Sequence, residues 1–321
     1  MEEILQIKHL SKFFVKKGIF SSKVVTVKAS DNVSFSLKKG EVFVLAGESG
    51  SGKSTIAKLI LKSINADSGK IIFEGKTIND DKESLEKIRM NCQMIQQDPY
   101  DSINPRMRIG NIISEPLEIH NIGTKEEREQ RVIEVLQEVK LEPPKEIAKK
   151  FPHMLSGGQR QRIVLARALA IRPKVIIADE PVSMLDVSIR AEMLELMKEL
   201  QKKYKISFIY ITHDLATARF FGQRIGILYL GKIVEIGPID EVLLNPRHPY
   251  TQALIDAISE PDPNNLKKEK QIRIKEPSEI RVTKGCRFQP RCPYAIEKCE
   301  IEPELEETSK DHHVACYVDL D

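Results

Sequence analysis

No stretch of the sequence keeps roughly 18 apolar residues together, so a membrane-crossing helix is not expected, although 41% of the 321 residues are hydrophobic. The opening MEEILQIKHL lacks the basic start and apolar core of an export signal. A cytosolic protein, or one docked on a membrane through another chain, is expected. Net charge is also scarce. Fifty Lys and Arg against 47 Asp and Glu leave +3, too weak a field to gather a polyanion, so nucleic acid is not an expected partner. Cysteine is sparse as well: there are five, and four of them fall at or after position 286. In a reducing compartment such a cluster reads as metal ligands or redox groups rather than as a disulfide framework.

What the sequence does have is an alternation of short apolar runs with helical patterns. EVFVLAG (41–47), KIIFEG (70–75), KVIIAD (174–179) and ISFIYITH (206–213) read as strands, and SGKSTIAKLILKSI and VSIRAEMLELMKELQKK as helices. This predicts an α/β domain around a largely parallel, buried sheet. Between 85 and 170 the β-rich runs give way to amphipathic helical spacing, as in EEREQRVIEVLQEVKL, which predicts a helical insertion. RIGILYLGKIVEIG reads as a hairpin and PIDEVLLNP as a short helix. From about 261 a polar, proline-bearing linker leads to a cysteine-rich tail.

Gly47-Glu48-Ser49-Gly50-Ser51-Gly52-Lys53-Ser54 fits G-x-x-x-x-G-K-S between a strand and a helix. The glycines let successive N–H groups and the helix N-terminus face the β- and γ-phosphates, Lys53 adds a cation, and Ser54 offers a hydroxyl to Mg²⁺. Asp179 and Glu180 close an apolar strand, where the first can reach the magnesium shell and the second can orient or deprotonate the attacking water. His213 ends another strand, placed to donate to the γ-phosphate. A second anion-binding turn, Ser156-Gly157-Gly158, precedes a helix. One nucleotide hardly needs two cradles from one chain, so two chains arranged head to tail are expected.

LSGGQ before ADEP, followed by SMLD (183–186) and THD (212–214), resembles the ATP-binding cassette (ABC) ATPases, the motor subunits of ABC transporters, over residues 4 to about 260. The resemblance implies a P-loop ATPase core with an antiparallel β subdomain (1–84 and 171–260), a helical subdomain carrying the signature (85–170) and a C-terminal cysteine-rich unit (261–321). It also implies that Gln97 touches Mg²⁺ and the membrane subunit, that Asp186 is the D-loop aspartate, that His213 is the switch histidine, and that Ser156, Gly157 and Gly158 act on the partner's nucleotide. Phe13 matches the position that stacks on adenine, and Thr55 completes the nucleotide-binding set with Ser49, Gly50 and Ser51.

QMIQQDPYDSINPRMRIG, NPRHPYTQAL and CRFQPRCPYAIEKC…HHVAC resemble the dipeptide and oligopeptide importers, closer to the second of their two non-identical ATPases. Gln96 and Met184 depart from the family's usual phenylalanine and alanine without removing a catalytic group. The importer resemblance implies two membrane permease subunits, a second ATPase subunit and, indirectly, an extracytoplasmic binding protein, at the cytoplasmic face of the cell membrane. It implies peptide as cargo, with nickel or another small solute as the alternative. A soluble ABC-type ATPase acting on DNA or ribosomes is the other reading, but the chain has a single cassette and no heptad run.

Cys286, Cys292, Cys299 and Cys316 are separated by 5, 6 and 16 residues, without the C-x-x-C knuckles of structural zinc sites. Spacing alone leaves zinc, with His312 and His313 as further ligands, and an iron–sulfur cluster both open. The importer resemblance implies a [4Fe-4S] cluster on the four cysteines, which would staple a tail too short to bury its own core. Arg287, Arg291 and Lys298 read either as an offset to its negative charge or as a solvated basic surface. Cys92 reads as an ordinary buried cysteine.

Overall fold

The computed structural model describes residues 2–17, 24–257 and 284–319. The expected linker lies outside the described residues up to 283. Two long strands, β1 (Glu3–Lys17) and β2 (Val24–Lys38), pair antiparallel. Leu5 and Ile7 of β1 and Val33, Phe35 and Leu37 of β2 are buried, the period-two signature of a sheet covered on one face. β3 (Val42–Ala46) leads through the glycine loop into α1 (Lys53–Ile60). β4 (Ser68–Phe73) pairs antiparallel with β1, and β5 (Lys76–Thr77) completes a four-stranded sheet in the order β2-β1-β4-β5. The KIIFEG run therefore belongs to this antiparallel sheet and not to the parallel one.

α2 (Lys82–Asn91) and β6 (Cys92–Ile95) follow, then α3 (Pro99–Ser102), α4 (Ile109–Ile119), α5 (Lys125–Glu138), α6 (Pro144–Ile147) and α7 (Gly157–Ala170). The chain then alternates through β7 (Val175–Asp179), α8 (Val187–Tyr204), β8 (Ser207–Thr212) and α9 (Leu215–Phe221). The hairpin β9 (Arg224–Tyr229) and β10 (Lys232–Pro238) precedes α10 (Ile239–Leu244) and α11 (Pro249–Asp256), and the tail adds β11 (Glu306–Ser309) and β12 (His312–Val314).

These strands build an eight-stranded sheet in the order β11-β12-β10-β9-β3-β8-β7-β6. From β9 to β6 every pairing is parallel, so the C-terminal ends of β3, β8, β7 and β6 share one edge. Every residue of β3, β7 and β8 is buried, because both faces of the sheet are covered. Phe43 and Leu45 pack with α1 and the antiparallel sheet, whereas Val42, Val44 and Ala46 pack on the side of the helical region.

Two features differ from the sequence expectation. Within the stretch expected to be helical, Cys92–Ile95 is a strand parallel to β7. Four residues are too few to show a period against the helices on either side. The cysteine-rich tail, expected as a separate unit, shares the main sheet: β12 pairs antiparallel with β10, Glu235 opposite Val314 and Ile236 opposite His313. The buried His312 imidazole holds the joint, its Nε2 lying 2.8 Å from Oε1 of the buried Glu235. Glu235 also accepts the backbone N–H groups of Arg247 (2.8 Å) and His248 (3.1 Å). One carboxylate thus ties the hairpin and the start of α11 to β10.

Candidate functional site

The glycine loop is held to one shape by close backbone approaches. Gly47 has φ +150°, and a Cβ there would fall 2.1 Å from the Leu228 carbonyl oxygen; at Gly52, with φ +110°, it would fall 1.9 Å from that of Ala29. No side chain fits either position, and Gly52 forms the N-cap of α1 with no side-chain cap on the helix. The loop and helix N-terminus thus form a cradle of backbone N–H groups suited to phosphate. Lys53 curls back into it, donating to the carbonyls of Gly47 (2.7 Å) and Glu48 (2.8 Å). Burial lowers the pKa of its ammonium, and the nearby Glu180, Asp179 and Glu48 oppose that shift.

Asp179 ends β7 and is buried. Desolvation raises its pKa, a hydrogen bond from Ser54 opposes the rise, and the Glu180 charge adds to it. A carboxylate in this position gains from a nearby cation, and Ser54 beside it completes an oxygen pair suited to Mg²⁺. Glu180 follows with φ +47°, a left-handed turn fixed by its N–H donating to the Ile211 carbonyl (2.9 Å). The turn brings three side chains from three strand ends together. Glu180 Oε2 accepts from Gln97 Nε2 at 3.0 Å, and Glu180 Oε1 lies 2.9 Å from His213 Nδ1.

The other expected residues take separate places. Ser156 caps α7: its hydroxyl accepts the Gln159 N–H, and Gln159 accepts the Ser156 N–H in return. This exposed turn has Gly158 packed so closely that a Cβ would meet Ile189 at 2.7 Å. Asp186 is the exposed N-cap residue of α8, without a side-chain cap bond. Phe13 lies on β1, half-buried, with the Lys28 ammonium 5.7 Å from its ring centroid. Ser49 and Gly50 are exposed at the loop tip, Ser51 is buried, and Thr55 is half-buried on α1.

The ABC transporter family matches residues 30–183, and the family described as the oligopeptide/dipeptide transporter C-terminal region matches residues 234–299. The chain belongs to the ABC transporter family. Among curated relatives, the oligopeptide transport ATP-binding protein AppF of Bacillus subtilis (strain 168) is 44% identical over 99% of this chain and 98% of its own length. OppF of the same organism, also an oligopeptide transport ATP-binding protein, is 49% identical over 82% and 85%. Among solved structures, the dimeric ATP-binding cassette MJ0796 with ADP and Pi bound is 31% identical, with a TM-score of 0.64 over 73% of this chain and 98% of that one. The protein cbiO1 of Clostridium perfringens is 26% identical, with a TM-score of 0.66 over 76% and 92%. As an ABC ATPase, the chain hydrolyses ATP.

In this ABC ATPase the four tail cysteines, scattered over 31 positions of sequence, line one small cavity together with His248, Pro249, Phe288 and Pro303. Burial pushes the thiols of Cys286 and Cys316 up, and the neighbouring cysteines push the same way. Among the described residues no group of three or more His, Cys, Asp or Glu is arranged to hold a single metal ion. His312, open as a zinc ligand from spacing, is bonded to Glu235, and neither it nor His313 lines the cavity. Cys92 is buried on β6, as expected.

Sequence reasoning did not single out Glu48 or Tyr250. The Glu48 N–H donates to the Tyr250 hydroxyl at 2.9 Å, and both Glu48 carboxylate oxygens accept from Arg291, at 3.1 and 3.2 Å. No spacing rule links residues about 200 positions apart, so neither pairing left a sequence signal. Arg291 is thus paired with Glu48, and Arg287 with Asp31, rather than standing free in solvent.

Proposed function

We propose that this ABC ATPase is the motor subunit of an importer of dipeptides or oligopeptides, working as a head-to-tail dimer under two membrane permeases that an extracytoplasmic binding protein supplies. The observation that carries the mechanism is Glu180 held between Gln97 and His213 at the shared strand edge, beside the phosphate cradle. Ser54, Gln97 and Asp179 would hold Mg²⁺. Lys53 and the loop N–H groups would bind the β- and γ-phosphates. Glu180 would accept a proton from the water attacking the γ-phosphate, while His213 orients the carboxylate and donates to the phosphate. Phe13 would stack on adenine, and Asp186 would lie at the dimer seam.

Ser156, Gly157 and Gly158 would close on the nucleotide of the partner subunit. The exposed Ser156 at the head of this turn, far along the chain from the loop, supports that reading. An open groove at Gln96, lined by the apolar Met94, Pro116 and Ile119 and by the charged Arg89, Asp101 and Arg167, suits a permease element that is itself part apolar and part polar. Among the described residues no helix is long and apolar enough to cross a membrane. The relatives do not favour a soluble ATPase of DNA or ribosomes. The test is uptake by vesicles holding the complex. Labelled tripeptide should accumulate with ATP and not with the Glu180→Gln subunit, whereas uptake of nickel or another small solute alone would overturn the cargo.

The four cysteines would hold a [4Fe-4S] cluster. Their shared cavity is one support. A second is His248, buried, whose Nδ1 accepts the Tyr250 N–H at 3.0 Å, leaving Nε2 as the N–H; that buried atom has no protein partner. Four thiolates with a nearby N–H donor form a donor set that fits such a cluster. When bound, it would cross-link the tail, since ATP-driven import requires no redox step. Zinc is the alternative occupant.

A further inference from the structure

We propose that the cysteine-rich unit positions the phosphate loop, so that affinity for MgATP depends on what the cysteines hold. The cluster clause rests on the reading given above; the contacts themselves stand on geometry. Two arginines, each next to a cysteine in sequence, lead to two points of the loop. Arg291 precedes Cys292 in a tight turn whose N–H groups at 291 and 292 both donate to the Phe288 carbonyl at 2.9 Å. Its guanidinium grips the Glu48 carboxylate with two parallel bonds. Such a fork fixes direction as well as distance.

Glu48 is thereby held at three places. Arg291 holds its carboxylate, Tyr250 its N–H, and Lys53 its carbonyl. Tyr250 belongs to the His248-Pro249-Tyr250 segment, whose first two residues line the cysteine cavity. Tyr229, Tyr250 and Phe288 pack together with ring centroids 4.5 to 5.5 Å apart, and Arg291 lies 5.8 Å from the rings of Tyr229 and Phe288. A displacement at the cysteines therefore reaches the loop through packed rings.

The second route starts at Arg287, next to Cys286. It pairs with Asp31 and donates to the Leu230 carbonyl. Asp31 donates its N–H to the Gly231 carbonyl (2.8 Å), and the Gly231 N–H donates to the Ser51 carbonyl (2.7 Å). The cysteine segment thus braces the loop at Glu48 and again at Ser51. Arg291 and Tyr250 are positioning residues: both bond to Glu48 and act through it.

The experiment measures MgATP affinity with a fluorescent ATP analogue on the full chain, alongside steady-state kinetics. Arg291→Gln and Tyr250→Phe should each weaken binding, Arg291→Gln by roughly tenfold, and raise KM with kcat nearly unchanged. A double-mutant cycle with Glu48→Gln separates this route from general loosening. The Glu48→Gln/Arg291→Gln protein should bind no worse than the weaker single variant. Cys292→Ser should weaken binding in the wild-type background and weaken it by a smaller factor in Glu48→Gln, where the Arg291 link is already cut and the route through Ser51 remains. Wild-type affinity in both Arg291→Gln and Tyr250→Phe, or losses that multiply in the double variant, would overturn the proposal while leaving the transport reading intact. A wild-type chain that binds no MgATP would overturn both. Weakened binding in Arg291→Gln without any effect of Cys292→Ser would overturn the dependence on the cysteines.

Discussion

Glu180 shows how one backbone angle sets up chemistry. With an extended φ its carboxylate would continue the alternation of β7; at φ +47° it turns toward Gln97 and His213 instead. Replacing it with Gln keeps the shape and the contact to Gln97 but removes the proposed base. Glu180→Gln should bind MgATP as the wild type does and lose turnover by about 10² or more, read as phosphate release at saturating ATP; normal turnover would remove Glu180 from the mechanism. Gly52 makes the opposite demand. Gly52→Ala must relieve both a positive φ and a contact of 1.9 Å with backbone, so it should abolish nucleotide binding while far-UV circular dichroism stays near wild type. Binding within twofold of wild type would mean that the loop yields more easily than its packing indicates.

At the scale of elements, the turn before α7 caps its helix and, in the proposed dimer, would also meet the partner's nucleotide, and one substitution can separate the two. Asp is as good an N-cap as Ser, so Ser156→Asp should preserve the helix while placing a negative charge where that nucleotide would close. Affinity of an isolated chain for MgATP should stay within twofold and turnover should fall at least tenfold; equal loss of both would place the turn in the same subunit's site. The elements that build this chemistry were legible because their motifs are local. β3 with its loop, β7 with Asp179 and Glu180, and β8 with His213 each announce themselves within a dozen residues. β1 and β2 carry a weaker signal, within the antiparallel β subdomain that the family resemblance implies: EILQIKHL and NVSFSL alternate as sheet strands do, but β-bulges break their period. β6 and the hairpin β11–β12 are too short for any period, and they exist because the sheet edge pairs with them. The links Gln97 to Glu180 and Arg291 to Glu48 are products of folding that no local pattern encodes.

Over the whole molecule the tail is anchored twice, by two different kinds of force. The hairpin β11–β12 joins the sheet through β10 and the buried His312–Glu235 bond. The segment around Cys286, Cys292 and Cys299 is held by Phe288 in the aromatic cluster and by Arg287 and Arg291, and the proposed cluster on the four thiols would add a further tie. With the thiols of Cys286 and Cys316 raised by burial and by neighbouring cysteines, the cavity disfavours thiolates there unless cations compensate them. Removing the bound group should therefore loosen the cysteine segment first. Protein purified without oxygen should be brown and carry about four irons per chain, as a [4Fe-4S] cluster requires. Cys292→Ser should lose the colour and most of the iron. In hydrogen exchange, that variant should lose protection over residues 286–300, while 312–314 keep theirs because backbone pairing with β10 does not pass through the cysteines. Colourless protein with one zinc per chain would replace the cluster with zinc, and equal loss of protection in both segments would mean that the two anchors form a single cooperative unit.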